Sequence, residues 1–178
     1  MAGAYDDRDG QIWMDGKLVP WRDANVHILT HALHYASSVF EGERCYDGRI
    51  FRSRDHSERL KKSANMIDFE IPWSVDEIEK VKYDVLKANG WTNAYVRAVA
   101  WRGAGEDMGV ASARNPVRMA VAAWEWGAYL GAEALEKGVD VCISSWQRAA
   151  PNTIPTLAKA GGNYLSSTLI SLEARERG

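Results

Sequence analysis

The sequence predicts an α+β protein, and three observations carry that prediction. Two Asp-Gly pairs each sit between short runs that alternate apolar and polar residues. Two helical stretches then follow one another, and after them two strand-like runs follow one another. Grouping of this kind packs as a mixed sheet with helices on one side, whereas strict strand–helix alternation would give a parallel sheet covered on both faces.

Each element has its own signal. "QIWMDGKLVPW" reads as a hairpin turning at Asp15-Gly16, a pair suited to a type I′ turn because both turn residues must take positive φ. "GERCYDGRIFR" repeats the pattern at Asp47-Gly48. A helix over Asp55 to Met66 sets Leu60, Ala64 and Ile67 on one side. The next helix has a capping box in Ser74 and Glu77, a shared face in Ile78, Val81 and Val85, and a stop at Gly90. "NAYVRAVAWRG" and "PVRMAVAAWEW" read as strands around a loop of small residues. A break near "WGAYLGAEAL" divides the chain into a small α+β domain, residues 1–130, and the start of a second unit, 131–178. In that second unit a short helix leads to Gly138, "VDVCISSWQ" reads as a buried strand, and a last helix puts Leu165, Leu169 and Leu172 on one stripe. One strand and two helices are too few to bury their own apolar faces, so poor packing is expected after about residue 130.

Bulk properties exclude several functions. The 178 residues are 46% hydrophobic and 26% charged, with a net charge of −2. That balance provides neither a basic footprint for nucleic acid nor an acidic tail. No run of 18 apolar residues exists, and "MAGAYDDRDG" is polar and acidic, so neither a membrane span nor a secretory signal is expected. Cys45 and Cys142, far apart, read as two buried thiols in a reducing cytoplasm. The eight tryptophans serve either as core mass or as the wall of an aromatic pocket.

Three features invite chemistry. His27, His31 and His34 lie close together, but no Cys, Asp or Glu joins them at ligand spacing, so they read as structural and no metal is expected. "RGAGEDMG" lacks the spacing of a dinucleotide fingerprint and reads as a surface loop. The third feature is Lys159, in "APNTIPTLAKAGGNYLSS", whose neighbours Ala158, Ala160, Gly161 and Gly162 have almost no side chain. A lysine nucleophile needs room for a carbonyl compound, and Tyr164 lies one helical turn away as a hydrogen-bonding partner. On spacing alone a solvated loop lysine beside a flexible Ala-Gly linker is the better reading.

The stretch "SSWQRAAPNTIPTLAKAGGNYLSS" resembles the lysine region of branched-chain amino acid aminotransferases, pyridoxal-phosphate enzymes of fold type IV. The likeness continues, in order, through "VHILTHALHYASSVFEG", "FRSRDHSERLKKSA", "AYVRAVAW" and "WEWGAYLGAEALEKGVD". It implies a pyridoxal 5′-phosphate aldimine on Lys159, which also shuttles the substrate's α-proton. Tyr164 is similar to the tyrosine on the cofactor's phenolic oxygen, and Arg59 to the phosphate-binding arginine. Phe40, Gly42, Tyr95, Arg97, Trp126 and Tyr129 match positions lining the substrate pocket. Tyr35 and Val110 match residues that reach into a partner subunit's site. The implied reaction passes the amino group of Leu, Ile or Val to 2-oxoglutarate in a cytoplasmic homodimer or higher oligomer. Strand alternation agrees in part, setting Tyr95 and Arg97 on one face, and Phe40, Gly42 and Arg44 on one face with Glu41, Glu43 and Cys45 behind.

Two departures stand out. Position 43 is Glu where the family usually has an apolar residue, which puts the local packing in question. The family also runs well past the point matching Gly178, so the second domain is expected to be incomplete and the 178-residue chain inactive alone. The rival readings are a D-amino acid aminotransferase or aminodeoxychorismate lyase of the same fold type, and a non-catalytic dimerising fragment.

Overall fold

A computed structural model of the chain describes residues 4–111, 113–127 and 134–178. The first hairpin joins β1 (Gln11–Met14) to β2 (Lys17–Pro20), with positive φ at both Asp15 and Gly16. A short helix α1 (His31–Tyr35) leads into β3 (Ser38–Phe40). The second hairpin, β4 (Glu43–Tyr46) and β5 (Arg49–Ile50), also turns on two positive-φ residues, Asp47 and Gly48. Both turns follow from their Asp-Gly pairs, whose backbone twist matches that of the flanking strands.

Helices α2 (Ser53–Met66) and α3 (Val75–Ala88) come next, then the long strands β6 (Ala94–Arg102) and β7 (Val117–Trp124). The expected capping box is formed: the Ser74 hydroxyl accepts from the Glu77 N–H while Glu77 accepts from the Ser74 N–H. Among the described residues the seven strands make one sheet in the order β2-β1-β7-β6-β4-β5, with β3 sharing the β4 side of β6. Each described pairing is antiparallel. This is the α+β arrangement the grouping of elements predicts.

The two faces of the sheet differ. One is covered by α2 and α3 and carries Val39, Glu41, Glu43, Cys45, Val96, Ala98, Met119 and Val121, all buried against residues such as Leu60, Ala64, Ile78 and Val85. The other is half-buried and carries Phe40, Gly42, Arg44, Tyr95, Arg97 and Trp124. Strict alternation along β4, β6 and β7 sorts the side chains in this way.

Past β7 come a short α4 (Ala134–Lys137) and α5 (Tyr164–Glu176). The expected buried strand at "VDVCISSWQ" is not there: the segment has no strand structure, with Val141 89% and Ile143 92% exposed. Its β-branched residues suit a strand, but strand preference expresses packing on a pleated surface, and no described strand pairs with it. Cys142 in the same segment is exposed, so of the two thiols expected to be buried only Cys45 is. Leu165 and Leu172 of α5 are also exposed. No helix among the described residues is long and apolar enough to cross a membrane.

Candidate active site

The stretch around Lys159 is fastened to the half-buried edge of the sheet by its backbone. Ala160 bridges to Val39, the Phe40 N–H donates to the Lys159 carbonyl (3.1 Å), and the Lys159 N–H donates to Ser63 Oγ of α2 (3.0 Å). Ala158 and Ala160 are buried in the core. The glycines serve the same approach. A Cβ on Gly161 would lie 2.5 Å from Ser38 Oγ, and one on Gly162 3.1 Å from Ala36 Cβ. The small residues flanking Lys159 therefore let the loop lie close against β3 and the end of α1, rather than simply clearing space about the amine.

From this fixed backbone the Lys159 side chain reaches Tyr164, and its Nζ donates to the Tyr164 hydroxyl at 2.8 Å. A turn of 3₁₀ helix over Gly161–Asn163 sets that spacing by delivering Tyr164 as the first residue of α5. The ring of Phe40 is shared: Tyr164 lies 4.9 Å from it, Lys159 Nζ 4.8 Å and the Arg97 guanidinium 4.6 Å. An amine and a guanidinium thus share the Phe40 ring, an arrangement of the cation–π kind.

The rest of the cluster lies along β6 and β7. Arg97 donates to the Tyr95 hydroxyl at 2.8 Å, and the Tyr95 ring packs against Trp126 (4.6 Å) and Trp124 (5.0 Å). The Trp126 carbonyl accepts from Arg44. Arg97 also lines an apolar hollow of about 360 Å³ with Ile12, Met14, Val26 and Leu33. Two buried donors, Arg97 Nε and Trp124 Nε1, have no hydrogen-bond partner among the described residues. Buried donors normally find partners, so orphans beside an aromatic wall mark a place where an acceptor belongs.

Gly42 is required by this packing, since a Cβ there would come 2.0 Å from the Tyr95 hydroxyl. Gly42→Ala is expected to destabilise the protein by about 1–3 kcal/mol through overpacking, because Tyr95 is held by two tryptophans and Arg97. Tyr95→Phe in the same chain should recover part of the loss, as read from urea midpoints.

Arg59 lies behind this cluster, on α2. Its Nε and Nη2 donate to the two oxygens of buried Glu41 at 2.6 and 2.7 Å. The pair with Glu41 holds the guanidinium firmly protonated, against the opposing effect of burial. Burial alone would raise the Glu41 carboxyl, but the bonds from Arg59 and His56 outweigh it and hold the group below the usual carboxylate range.

Glu43 answers the packing question raised by the sequence. It is buried, and its Oε2 accepts from Lys82 Nζ of α3 at 2.8 Å, both side chains being wholly inaccessible. Lys82 also donates to Ser57 Oγ (2.6 Å), the Ser53 carbonyl (3.1 Å) and Glu79 (3.1 Å). Burial pushes the Glu43 carboxyl up, against the pull of Lys82.

Of the residues singled out from the sequence, Phe40, Gly42, Tyr95, Arg97, Trp126, Lys159 and Tyr164 come together, with Arg59 adjoining. Tyr129 lies outside the described residues. Tyr35 and Val110 stand apart at the surface, 43% and 75% exposed, and are joined through His31. The His31 ring lies 4.7 Å from Tyr35 and its Nε2 lies 3.2 Å from the Val110 carbonyl. Buried and bonded also to Ser37, His31 is thus a structural residue of that loop. Sequence reasoning missed Trp124, which alternation from Trp126 would have found, and missed Glu41, His56 and Lys82.

Comparison with known proteins matches residues 38–178 to a family model described as amino-transferase class IV. The branched-chain-amino-acid aminotransferase of Salmonella typhimurium is 50% identical over 174 residues, covering 94% of this chain and 55% of that protein. The crystal structure of the branched-chain amino acid aminotransferase of Escherichia coli superposes with a TM-score of 0.92 at 50% identity, over 96% of this chain and 58% of that one. The branched-chain amino acid aminotransferase of Thermobaculum terrenum, in its PLP-bound holo form, superposes with a TM-score of 0.79 at 28% identity, over 96% of this chain and 56% of that one. The chain spans about half the length of the curated relatives it matches. A family match across most of its length, with the lysine loop inside it, shows that the chain belongs to the class IV aminotransferases.

Proposed function

We propose that the protein carrying this chain is a pyridoxal-phosphate-dependent transaminase that moves the amino group of leucine, isoleucine or valine to 2-oxoglutarate. The single observation that carries the reading is the 2.8 Å contact between Lys159 Nζ and the Tyr164 hydroxyl. In pyridoxal phosphate the phenolic oxygen is ortho to the aldehyde carbon, so the amine that bonds one and the phenol that binds the other must be neighbours. They are. The cofactor, when bound, acts as the electron sink that makes the substrate's Cα–H acidic.

The remaining roles belong to the chain. Lys159 tethers the cofactor and moves the proton at substrate Cα. Tyr164 orients the ring through its hydroxyl, and Arg59 receives the phosphate, a pairing suited to a planar guanidinium. Phe40, Tyr95 and Trp126 make the apolar wall that suits a branched side chain, and Gly42 keeps that wall clear; for Tyr129 the family resemblance alone carries the substrate-binding role. Glutamate must use the same pocket, and Arg97, whose Nε has no partner among the described residues, is the group for its distal carboxylate. Tyr35 and Val110 belong to the neighbouring subunit's pocket in a homodimer of the cytoplasm. A small domain runs to about residue 130, and the segment from 131 begins the larger cofactor-binding one.

A substrate panel tests the reading. Leucine with 2-oxoglutarate should yield glutamate faster than D-alanine does as donor. Preference for the D-amino acid, or release of pyruvate from aminodeoxychorismate, would replace it with one of the other activities of the fold type.

A further inference from the structure

We infer that Glu41 is a positioning residue that fixes the plane of the Arg59 guanidinium for the cofactor's phosphate, an inference that rests on the function proposed above. Arg59 is long and its side chain is half exposed, so without a brace it would sample many rotamers. Glu41 is the brace. Its carboxylate is fully buried, and both oxygens are engaged, Oε1 by Arg59 Nε and Oε2 by Arg59 Nη2 and His56 Nδ1 (2.8 Å). A two-point fork sets the plane of a guanidinium, which a single bond does not.

The fork uses the Nε–Nη2 edge and leaves the Nη1 donors unused by Glu41, as binding a second anion requires. The brace is also tied to the site by the chain itself. Phe40, the ring that Lys159, Tyr164 and Arg97 share, is the residue before Glu41. The Glu41 N–H donates to the Ala98 carbonyl at 2.8 Å, so neither residue drifts from β6. Purely structural needs at so buried a point are met as well by an apolar side chain, without the cost of desolvating a carboxylate. Orientation of a cation at the rim is what the carboxylate adds.

The test compares the unsubstituted protein with Glu41→Gln, alone and in an Arg59→Lys background, using pyridoxal phosphate and phosphate-free pyridoxal as probes. Losing one arm of a charge-assisted fork should raise the Kd for pyridoxal phosphate about ten- to a hundredfold and leave that for pyridoxal unchanged. It should add nothing once Arg59 is lysine. Before any cofactor is added, nitrogen-15 NMR should show a slowly exchanging Arg59 Nε–H that Glu41→Gln removes. Glu41→Asp, which keeps the charge but shortens the reach, should show the same phosphate-selective loss and serves if Glu41→Gln does not fold. Equal weakening for both probes, or unchanged pyridoxal phosphate binding, overturns the inference. Absence of pyridoxal phosphate binding in the unsubstituted protein instead overturns the proposed function, and the inference falls with it.

Discussion

Lys159→Ala is expected to lower amino transfer from leucine to 2-oxoglutarate by about a hundred- to ten-thousand-fold, the usual worth of a positioned proton-transfer group. The fold should survive the change. What fastens residue 159 is its backbone, through Ser63 and Phe40, while its amine bonds to the Tyr164 hydroxyl at the surface of the site. The urea midpoint should therefore stay near that of the unsubstituted protein while activity collapses, which separates a chemical role from a structural one. A Lys159→Ala protein that is folded and fully active would remove Lys159 from the reaction.

The second large effect concerns stability. Lys82→Met is expected to destabilise the protein by about 3–5 kcal/mol, because it leaves the Glu43 carboxylate buried without its cation. Glu43 Oε1 already has no partner among the described residues, so the pair has nothing in reserve. The double change Lys82→Met with Glu43→Leu removes both charges at similar volume and should recover most of the loss, since apolar replacements of buried ion pairs are often neutral or stabilising. Urea unfolding of the two variants decides it; a single variant as stable as the parent would contradict the account. The sign of the pH dependence is also fixed. Glu41, held low, stabilises the fold above the ordinary carboxylate range, and that contribution is lost as pH falls through its lowered value. Glu43, pushed up by burial, acts oppositely: its contribution is present at low pH and lost as pH rises through the raised value.

Where a signal in the sequence is local, it was legible. Asp15-Gly16, Asp47-Gly48 and the Ser74–Glu77 box each carry their geometry within a few residues, and each forms as expected. Alternation placed Tyr95 with Arg97 and sent Glu43 away from the Phe40 face, because a pleated strand leaves no other choice. Long-range pairings were not legible. Lys82 lies on the same stripe as Ile78 and Val85, a position that periodicity assigns to apolar residues, and only the packing of α3 on β4 reveals that it meets Glu43. Glu41 and Arg59 are 18 residues apart and on different elements. Val139, Val141 and Ile143 carry strand preference, but preference cannot supply a neighbouring strand. Gly161 and Gly162 read in the sequence as room about the Lys159 amine, whereas the structure sets them against Ser38 and Ala36, a contact across more than a hundred residues that no local signal carries.

The central claim is that Lys159 holds pyridoxal phosphate covalently, and it can be measured directly. The purified protein is loaded with pyridoxal phosphate, reduced with borohydride to make an imine permanent, digested and weighed peptide by peptide. The account predicts a phosphopyridoxyl group on the peptide containing Lys159, absent from Lys159→Ala. A label on another lysine, unchanged in Lys159→Ala, would contradict it.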